Sequence, residues 1–223
     1  MTGRVVIVTG TSGVLGQAVA RRFRAAGDRV AGVDQLAGDG DMALELALTG
    51  VDLTSAADAL TWVETCVARL GSPAVLINAV GGFAWQTLED GDATAAMFAI
   101  NVATAVNMSR AVLPHLRLAS NGRIVNVGAY AALRADAGMG AYAVAKSALH
   151  RLTESLAAET INAKVTVNTV LPTILDTPRN RDDMPDADRS TWLAPSTVAD
   201  AIYLLASPLA QGITGALVPI MKA

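Results

Sequence analysis

The chain has 223 residues, 17 basic and 20 acidic side chains, a net charge of −3 and 52% hydrophobic residues. This length indicates one large domain or two small ones, and the acidic balance excludes the basic surface on which nucleic-acid binding depends. One cysteine, Cys66, excludes an intrachain disulfide, and two distant histidines offer no zinc-ligand cluster, so we expect no metal. Polar residues interrupt each apolar run, and no secretory signal begins the chain. We therefore expect a cytoplasmic protein without a membrane partner.

Short aliphatic runs alternate with longer amphipathic segments along the whole chain. The runs predict strands at residues 4–9, 29–34, 74–79, 122–127, 164–171 and 216–220. Helices are predicted over residues 13–26, 55–70, 92–118, 142–160 and 196–207. This alternation is typical of a parallel sheet with helical crossovers. We predict an α/β fold, a doubly wound parallel sheet with helices on both faces (a Rossmann fold), forming one domain over residues 1–223.

The segment 176–195 differs from the rest because it combines prolines and charges with Trp192, between the sixth strand and the last helix. Such a composition suits an excursion over a site better than it suits a core element. We predict a substrate lid there.

A glycine-rich turn joins the first predicted strand to the first predicted helix. Glycines at this position let backbone amides approach a pyrophosphate at the helix N-terminus. The predicted cofactor-binding residues of the turn are Gly10, Ser12, Gly13, Val14, Leu15 and Gly16. A tight turn alone also collects glycine, so the strand-turn-helix-strand context carries the prediction.

An acidic residue ends the next predicted strand, since Asp34 lies 18 residues after Gly16. A carboxylate at this place accepts hydrogen bonds from a ribose 2′-hydroxyl and repels a 2′-phosphate, so we predict that NAD(H) is preferred over NADP(H). The alternative is a structural turn with a solvated Asp. Asp52 and Leu53 are predicted near the adenine, and a helix-capping Asp is the alternative there.

Tyr142 and Lys146 stand four residues apart and share one face of a predicted helix. A neighbouring cation lowers the pKa of a phenol, so we predict a Tyr142 hydroxyl that exchanges a proton near neutral pH. Such a pair alone is also common as a surface contact.

These motifs, in this order and spacing, resemble the short-chain dehydrogenase/reductase family over nearly the whole chain. The matching pieces are residues 9–16, Asp52, Leu53, Asn78, Ala79, Val80, Gly81, Asn101, Tyr142, Lys146, and the stretch that contains Pro172, Ile174 and Thr177.

The resemblance implies three catalytic roles. It makes Tyr142 the acid/base, Lys146 its electrostatic partner, and Asn101 the support of a water-mediated proton relay. It also implies a nicotinamide cofactor, with Ile174 and Thr177 beside the carboxamide. The alternatives are a buried, hydrogen-bonded helix residue for Asn101 and a turn residue for Thr177.

Two positions depart from the family pattern. The middle glycine of the turn is Gly13, and position 14 is Val. The serine that orients the substrate is expected 13 residues before Tyr142, where the chain has Ala129. A hydroxyl donating to a reacting carbonyl is worth roughly 10²–10³ in rate. Either the chain is no efficient carbonyl reductase or its substrate does not need that donor.

The second option has support within the family, because residues 128–133 and 171–192 are similar to the dihydropteridine reductase branch, which also has Ala at the serine position and reduces quinonoid dihydropterins with NADH. Phe83, Trp85 and Trp192 are predicted, with Ala129, to line the substrate site and to stack on a flat heterocycle. Core or lid packing is the alternative for each aromatic residue. Phe83 stands where pterin enzymes carry Trp.

Three functions follow from these residues. The leading one is hydride transfer from NADH to a small conjugated acceptor, with quinonoid dihydropteridine reduction as the specific case. The alternatives are an alcohol/ketone dehydrogenase that uses Tyr142 alone and a catalytically idle NAD-binding protein. The resemblance also implies a homodimer or homotetramer. His115 and His150 are given no catalytic role, and His150 is expected on the helix surface.

Overall fold

A computed structural model describes residues 3–36, 44–119 and 121–222, and the remaining residues of the predicted 1–223 domain lie outside the described ones. Seven parallel strands form one sheet in the order β3-β2-β1-β4-β5-β6-β7. The strands are β1 (Val5–Thr9), β2 (Arg29–Val33), β3 (Leu46–Leu48), β4 (Val75–Asn78), β5 (Arg123–Val127), β6 (Thr166–Pro172) and β7 (Leu217–Ile220). The predicted α/β fold with a doubly wound sheet is confirmed.

Within the described ranges, seven α-helices connect the strands. They are α1 (Val14–Ala25), α2 (Ala56–Leu70), α3 (Thr94–Phe98), α4 (Thr104–Leu118), α5 (Gly140–Thr160), α6 (Pro178–Asp183) and α7 (Pro195–Leu205). A Ser55 cap begins α2 and Gly71 ends it. Helix α5 begins at Gly140, two residues earlier than predicted.

Two hydrophobic cores cover the two faces of the sheet. Strands β1, β4 and β5 are fully buried, which explains their continuous aliphatic sequences. On one face α1 and α7 pack around Phe23 and Ile202. On the other face α2, α4 and α5 pack around Trp62, Met108 and Ala157. Helices on both faces leave the carboxyl edge of the sheet as the open side.

The segment Thr94–Leu118 is helical throughout, because a π-helical turn (Ala99–Ala103) joins α3 to α4. By length and mean hydropathy, 1.3, it qualifies as a membrane span, contrary to the expectation from its interrupted apolar runs. In the fold, 44% of its apolar window is buried, and α4 packs against α2 as a core helix does. The core packing accounts for its apolar character.

The predicted lid, residues 176–195, folds as α6 followed by a 3₁₀ turn (Arg189–Thr191) and then the start of α7. Its two ends are paired, since Leu193 N donates to Ile174 O at 2.8 Å and Asp176 N donates to Leu193 O at 2.8 Å. The carboxylate of Asp176 also holds Arg181 at 2.6 and 2.8 Å. The segment is therefore a closed loop anchored beside the carboxyl end of β6.

Candidate active site

The glycine turn between β1 and α1 is built by close backbone approach. Gly10 has φ +75, and a Cβ at Gly16 would lie 2.0 Å from the carbonyl oxygen of Gly10. Gly13, by contrast, is exposed and its missing Cβ faces open space apart from one 3.4 Å contact. Glycine is therefore required at 10 and 16, whereas Val14, where α1 begins, has an exposed side chain. These residues fit a dinucleotide pyrophosphate.

Thr9 fixes the turn to the neighbouring strand end. Its hydroxyl oxygen accepts hydrogen bonds from Ala79 N at 3.0 Å and Val80 N at 3.1 Å. The segment that follows β4 is thereby held against the end of β1. The family resemblance covers Thr9, Ala79 and Val80 but implies no role for Thr9.

Asp34 follows β2 and is bound to the glycine turn. Its Oδ2 accepts hydrogen bonds from Ser12 N at 2.9 Å and from Ser12 Oγ at 2.5 Å. Its Oδ1 accepts one from Leu36 N at 3.2 Å. The carboxylate is therefore fixed at the mouth of the turn, and Ser12 reaches it through both its backbone and its side chain.

Asp52 and Leu53, which the sequence predicts near the adenine of the cofactor, lie in the loop before α2. Thr54 donates to Asp52 Oδ1 from its N at 2.9 Å and its Oγ1 at 2.7 Å, and these hydrogen bonds lower the pKa of Asp52. Leu53 is buried in the core. Asn107 on α4 donates to the carbonyls of Leu53 and Thr54 at 3.0 and 2.9 Å. No spacing in the sequence indicates Asn107, because its partners are backbone atoms more than fifty residues away.

Asn101 lies in the π-helical turn and is 1% exposed. Its Nδ2 donates to Gly82 O and Met97 O, both at 3.0 Å, and its Oδ1 accepts from Gly82 N at 3.2 Å. A Cβ at Gly81 would lie 2.8 Å from Asn101 Oδ1 and 3.2 Å from Lys146 Nζ, so both groups meet at this glycine. Single π turns in helices are frequent at functional sites.

Lys146 is buried beside the carboxyl end of β5. Its Nζ donates to Val127 O at 2.7 Å. Burial lowers the pKa of Lys146 to about 8, since the ammonium has lost most of its hydration. No carboxylate among the described residues forms an ion pair with it.

Tyr142 lies one turn before Lys146 on α5, as predicted, but its acidity is opposite to the expectation. Burial raises the pKa of Tyr142 to about 12. The Lys146 Nζ is 5.9 Å from the centre of the phenol ring and is engaged by a carbonyl, so its charge does not offset the loss of water. The phenol is therefore protonated at neutral pH, as a proton donor must be.

Asn78 belongs to a buried polar network beneath the carboxyl edge. Its Nδ2 donates to Asn126 Oδ1 at 2.8 Å, and Asn126 Nδ2 donates to Thr153 Oγ1 at 2.8 Å. Thr153 and Thr169 also share a hydrogen bond at 2.6 Å. The network ties β4, β5, β6 and α5 together, which places Asn78 below the site.

The comparisons with known proteins agree with this geometry. A family model described as short chain dehydrogenase matches residues 4–188. The chain belongs to the short-chain dehydrogenase family. It is 30% identical to a 3-oxoacyl-[acyl-carrier-protein] reductase of Pseudomonas aeruginosa over 239 aligned positions, covering 99% of this chain and 96% of that protein. It is 33% identical to the 2-(R)-hydroxypropyl-CoM dehydrogenase of Xanthobacter autotrophicus, covering 96% and 95%.

Solved structures of short-chain dehydrogenases superpose on the whole chain. An NADPH-bound short chain oxidoreductase of Pseudomonas aeruginosa, described as containing an atypical catalytic center, has a TM-score of 0.88 at 25% identity, covering 97% of this chain and 95% of that one. The 3-ketoacyl-(acyl-carrier-protein) reductase of Brucella melitensis with NADH has a TM-score of 0.84 at 28% identity, covering 98% and 96%. The chain is thus an NAD(P)-dependent oxidoreductase of this family.

Ala129 stands at the position where the family resemblance implies a substrate-orienting serine. It is 5% exposed and precedes a 3₁₀ turn (Tyr130–Ala132). Behind it, His150 on α5 is 2% exposed, so the expected position on the helix surface is wrong. A polar residue at position 150 of α5 is typical of a helix surface. The space for its ring is left by Gly128 on another segment, which the helical periodicity does not reveal.

Two of the three predicted substrate aromatics are exposed, and one of them contacts Tyr142. Phe83 is 47% exposed, and its ring meets that of Tyr142 edge to face, with centres 5.0 Å apart. Trp85 is 62% exposed and packs on Gly138, where a Cβ would lie 2.3 Å from the indole. Trp192 is 4% exposed beneath the cation of Arg189, which matches the lid-packing alternative.

The predicted nicotinamide residues follow β6. Pro172 ends the strand, Ile174 is 43% exposed, and Thr177 begins α6 by accepting a hydrogen bond from Asn180 N at 3.2 Å.

No group of three or more His, Cys, Asp or Glu suited to a metal occurs among the described residues.

Proposed function

We propose that this short-chain dehydrogenase reduces a small, planar, conjugated acceptor with NADH, a quinonoid dihydropterin being the specific candidate, and that Tyr142 supplies the proton. One observation carries the proposal: a buried alanine, Ala129, stands at the position of the family's serine, while the Tyr142 phenol, whose pKa is raised by desolvation, keeps its proton at neutral pH. The cofactor supplies a hydride from nicotinamide C4, and the phenol supplies the proton that completes the two-electron reduction.

The absent serine matters differently for the two acceptor classes. Reduction of a ketone places negative charge on one oxygen, which the missing hydroxyl would have stabilised. In a conjugated imine the hydride adds at carbon or to the ring system and a ring nitrogen takes the proton from Tyr142 Oη. The resulting phenolate regains its proton from solvent. A planar acceptor therefore needs one donor where a ketone benefits from two.

The aromatic residues support a flat acceptor. The rings of Phe83 and Tyr142 meet edge to face, so their planes are nearly perpendicular. Almost half of the Phe83 side chain remains accessible. Trp85 lies farther along the same loop, and its indole packs against Gly138. Stacking on aromatic faces is favourable for conjugated heterocycles and indifferent to their exact substituents.

Asp34 supports the preference for NADH over NADPH. Its carboxylate is fixed by Ser12 and Leu36 where a 2′-phosphate would bring two further negative charges. No lysine or arginine follows Asp34 within the next three residues to neutralise that phosphate.

Ketone or alcohol turnover by Tyr142 alone is the second candidate. The relatives described above are named as reductases and dehydrogenases of oxo and hydroxy compounds. A structural relative is described as having an atypical catalytic center, so departures from the usual residues occur among active proteins of this shape. The third possibility, an idle NAD-binding protein, has no need for the contacts that bring Asn101 and Lys146 to Gly81.

A panel of acceptors tests the proposal. NADH oxidation is followed at 340 nm with a quinonoid dihydropterin, a 3-oxoacyl thioester and a simple cyclic ketone, each repeated with NADPH. We expect turnover with the dihydropterin and NADH, and at least about tenfold slower turnover with the ketones. Preferred reduction of the oxoacyl thioester would replace the leading candidate with the second one. Binding of NADH without oxidation by any acceptor would favour the idle protein.

Self-association is proposed as a homodimer or homotetramer of a cytoplasmic enzyme. Phe98, Val106 and Val144 on α3, α4 and α5 are large apolar side chains between 38% and 56% exposed. Light scattering of the purified chain tests this, and a monomer at micromolar concentration would contradict it.

A further inference from the structure

His150 is a buried imidazole to which the chemistry above assigns no role. It lies one turn after Lys146 and two turns after Tyr142 on the same face of α5. Its Nε2 has no hydrogen-bond partner among the residues that the structure describes. An aliphatic side chain would fill a buried space without leaving a polar atom unpaired, so packing alone does not account for a histidine here.

The ring occupies the space that a side chain at position 128 would need. A Cβ on Gly128 would lie 2.5 Å from His150 Nε2, 2.7 Å from Thr169 Cγ2 and 2.8 Å from Leu171 Cδ2. The glycine and the two β6 side chains therefore border a narrow slot with no room for a side chain at position 128, and the edge of the ring lies against it.

Two hydrogen bonds join α5 to β5 on either side of His150 along the helix: Lys146 Nζ donates to Val127 O at 2.7 Å, and Asn126 Nδ2 donates to Thr153 Oγ1 at 2.8 Å. On the strand side, the ring meets Gly128, the residue that follows β5. Gly128 is also the residue before Ala129, so the ring supports the substrate wall from behind.

The imidazole is neutral under working conditions. Burial, together with the nearby charges of Lys146 and Arg151, lowers the pKa of His150 to about 4. Lys146 therefore remains the charged group of this layer, and the ring adds bulk and a dipole beside it without a second charge.

We infer that His150 is a positioning residue, which supports the Gly128–Ala129 wall and sets the distance of α5 from β5, so that Tyr142 is held at the substrate. The inference rests on the proposed reductase function. His150 acts through the wall and the helix and touches neither substrate nor cofactor.

The test combines four variants with two separate readouts, the steady-state reduction of the best acceptor and the NADH dissociation constant from fluorescence. His150→Ala is expected to lower kcat about 10–100-fold, because displacement of a reacting group by about 1 Å costs up to 10²-fold. NADH affinity should stay within about twofold. His150→Gln, whose flat amide reaches the same slot, should recover at least about half of the lost kcat on a logarithmic scale.

A compensating pair tests the contact itself. Gly128→Ala should lower kcat about tenfold through its clash with the ring, and Gly128→Ala/His150→Ala should lose less activity than the product of the two single losses, because removal of the ring relieves the nearest of the three clashes of the new methyl. Thr160→Val, at the far end of the same helix and equally buried, is the control: it should lower stability and leave kcat unchanged.

The outcomes separate this inference from the proposed function. If the wild-type protein oxidises NADH with none of the acceptors in the panel, both the proposed function and the positioning role are overturned. An active wild type with a His150→Ala variant of equal kcat overturns the positioning role alone. The positioning role is also overturned if His150→Gln is as impaired as His150→Ala. It is overturned as well if kcat and NADH affinity fall together in His150→Ala, as they would in a generally loosened fold.

Discussion

The proton-transfer layer, formed by Asn101, Tyr142 and Lys146, and the aromatic rim, formed by Phe83 and Trp85, are held in different ways. Asn101 and Lys146 are nearly completely buried and hydrogen bonded to backbone atoms of neighbouring segments. The rim residues are half exposed, lie on the loop after β4, and are fixed by one ring contact and one glycine contact.

This difference separates the reaction from its specificity. Side chains on helices and strands are placed precisely by the surrounding packing, whereas loops on the same scaffold vary at little cost to the fold. Under the proposed function, the chemistry of hydride and proton transfer belongs to the layer, and the choice of acceptor belongs to the rim and to Ala129. Mutations in the two regions should accordingly affect kcat and KM differently.

Loss of the buried ammonium should give the largest effect among substitutions that spare the phenol. In Lys146→Met, Val127 O loses its donor and the layer loses its charge, so we expect kcat to fall about 10²–10³-fold. Steady-state rates at saturating NADH measure this. If the kcat of Lys146→Met is within about threefold of the wild-type kcat, the layer tolerates as much change as the rim.

Asp34, which is fixed to the glycine turn, should behave as part of the rigid scaffold. Asp34→Ala removes the repulsion of a 2′-phosphate and the acceptor for the ribose, so the ratio of NADH to NADPH affinity should fall about 10–100-fold. Parallel fluorescence titrations measure the ratio. Asp52→Asn, in the adenine loop, is the matched control and should change both affinities alike. An unaltered ratio in Asp34→Ala would remove the proposed basis of cofactor choice.

The buried His150 should make the layer sensitive to acid. The pKa of the folded imidazole is about 4 instead of 6.5, so the unfolded chain binds more protons between these values and stability rises with pH across that window. Acidification from pH 7 to 4.5 should therefore cost the wild type about 2 kcal/mol more than His150→Gln. Urea unfolding at both pH values checks this. Equal losses in the two proteins would mean that the imidazole is not shielded.

The smallest effect is expected at the rim. Phe83→Ala removes the ring beside Tyr142, so KM for a planar acceptor should rise about 3–10-fold with kcat nearly unchanged. Trp85→Ala should raise KM less, because its indole contacts Gly138 and not the phenol. A fall in kcat with constant KM in Phe83→Ala would place this residue in the layer.

Most of the fold and the outline of the site follow from the sequence. Continuous aliphatic runs identify six of the strands with errors of one or two residues at their ends, and β3 is too short to stand out. The glycine turn, Asp34, Tyr142 and Lys146 are recognisable because each depends on local spacing. The family resemblance adds Asn101, whose π-helical turn carries no local signal.

What the sequence does not reveal depends on contacts between distant segments. Local reasoning from neighbouring charges gives the wrong direction for the pKa of Tyr142, because desolvation by the assembled fold outweighs a lysine engaged elsewhere. The burial of His150 depends on a glycine more than twenty residues away. Asn107 and Thr9 act on backbone atoms, which leave no trace in the sequence.

The role of Tyr142 is tested most directly by single-turnover oxidation of bound NADH in the wild type and in Tyr142→Phe, with the acceptor that the panel identifies. We expect the variant to bind NADH within about twofold of the wild type and to oxidise it at least about 10³-fold more slowly, since only the proton donor has been removed. Oxidation at the wild-type rate by Tyr142→Phe would contradict the assignment of the proton to this phenol.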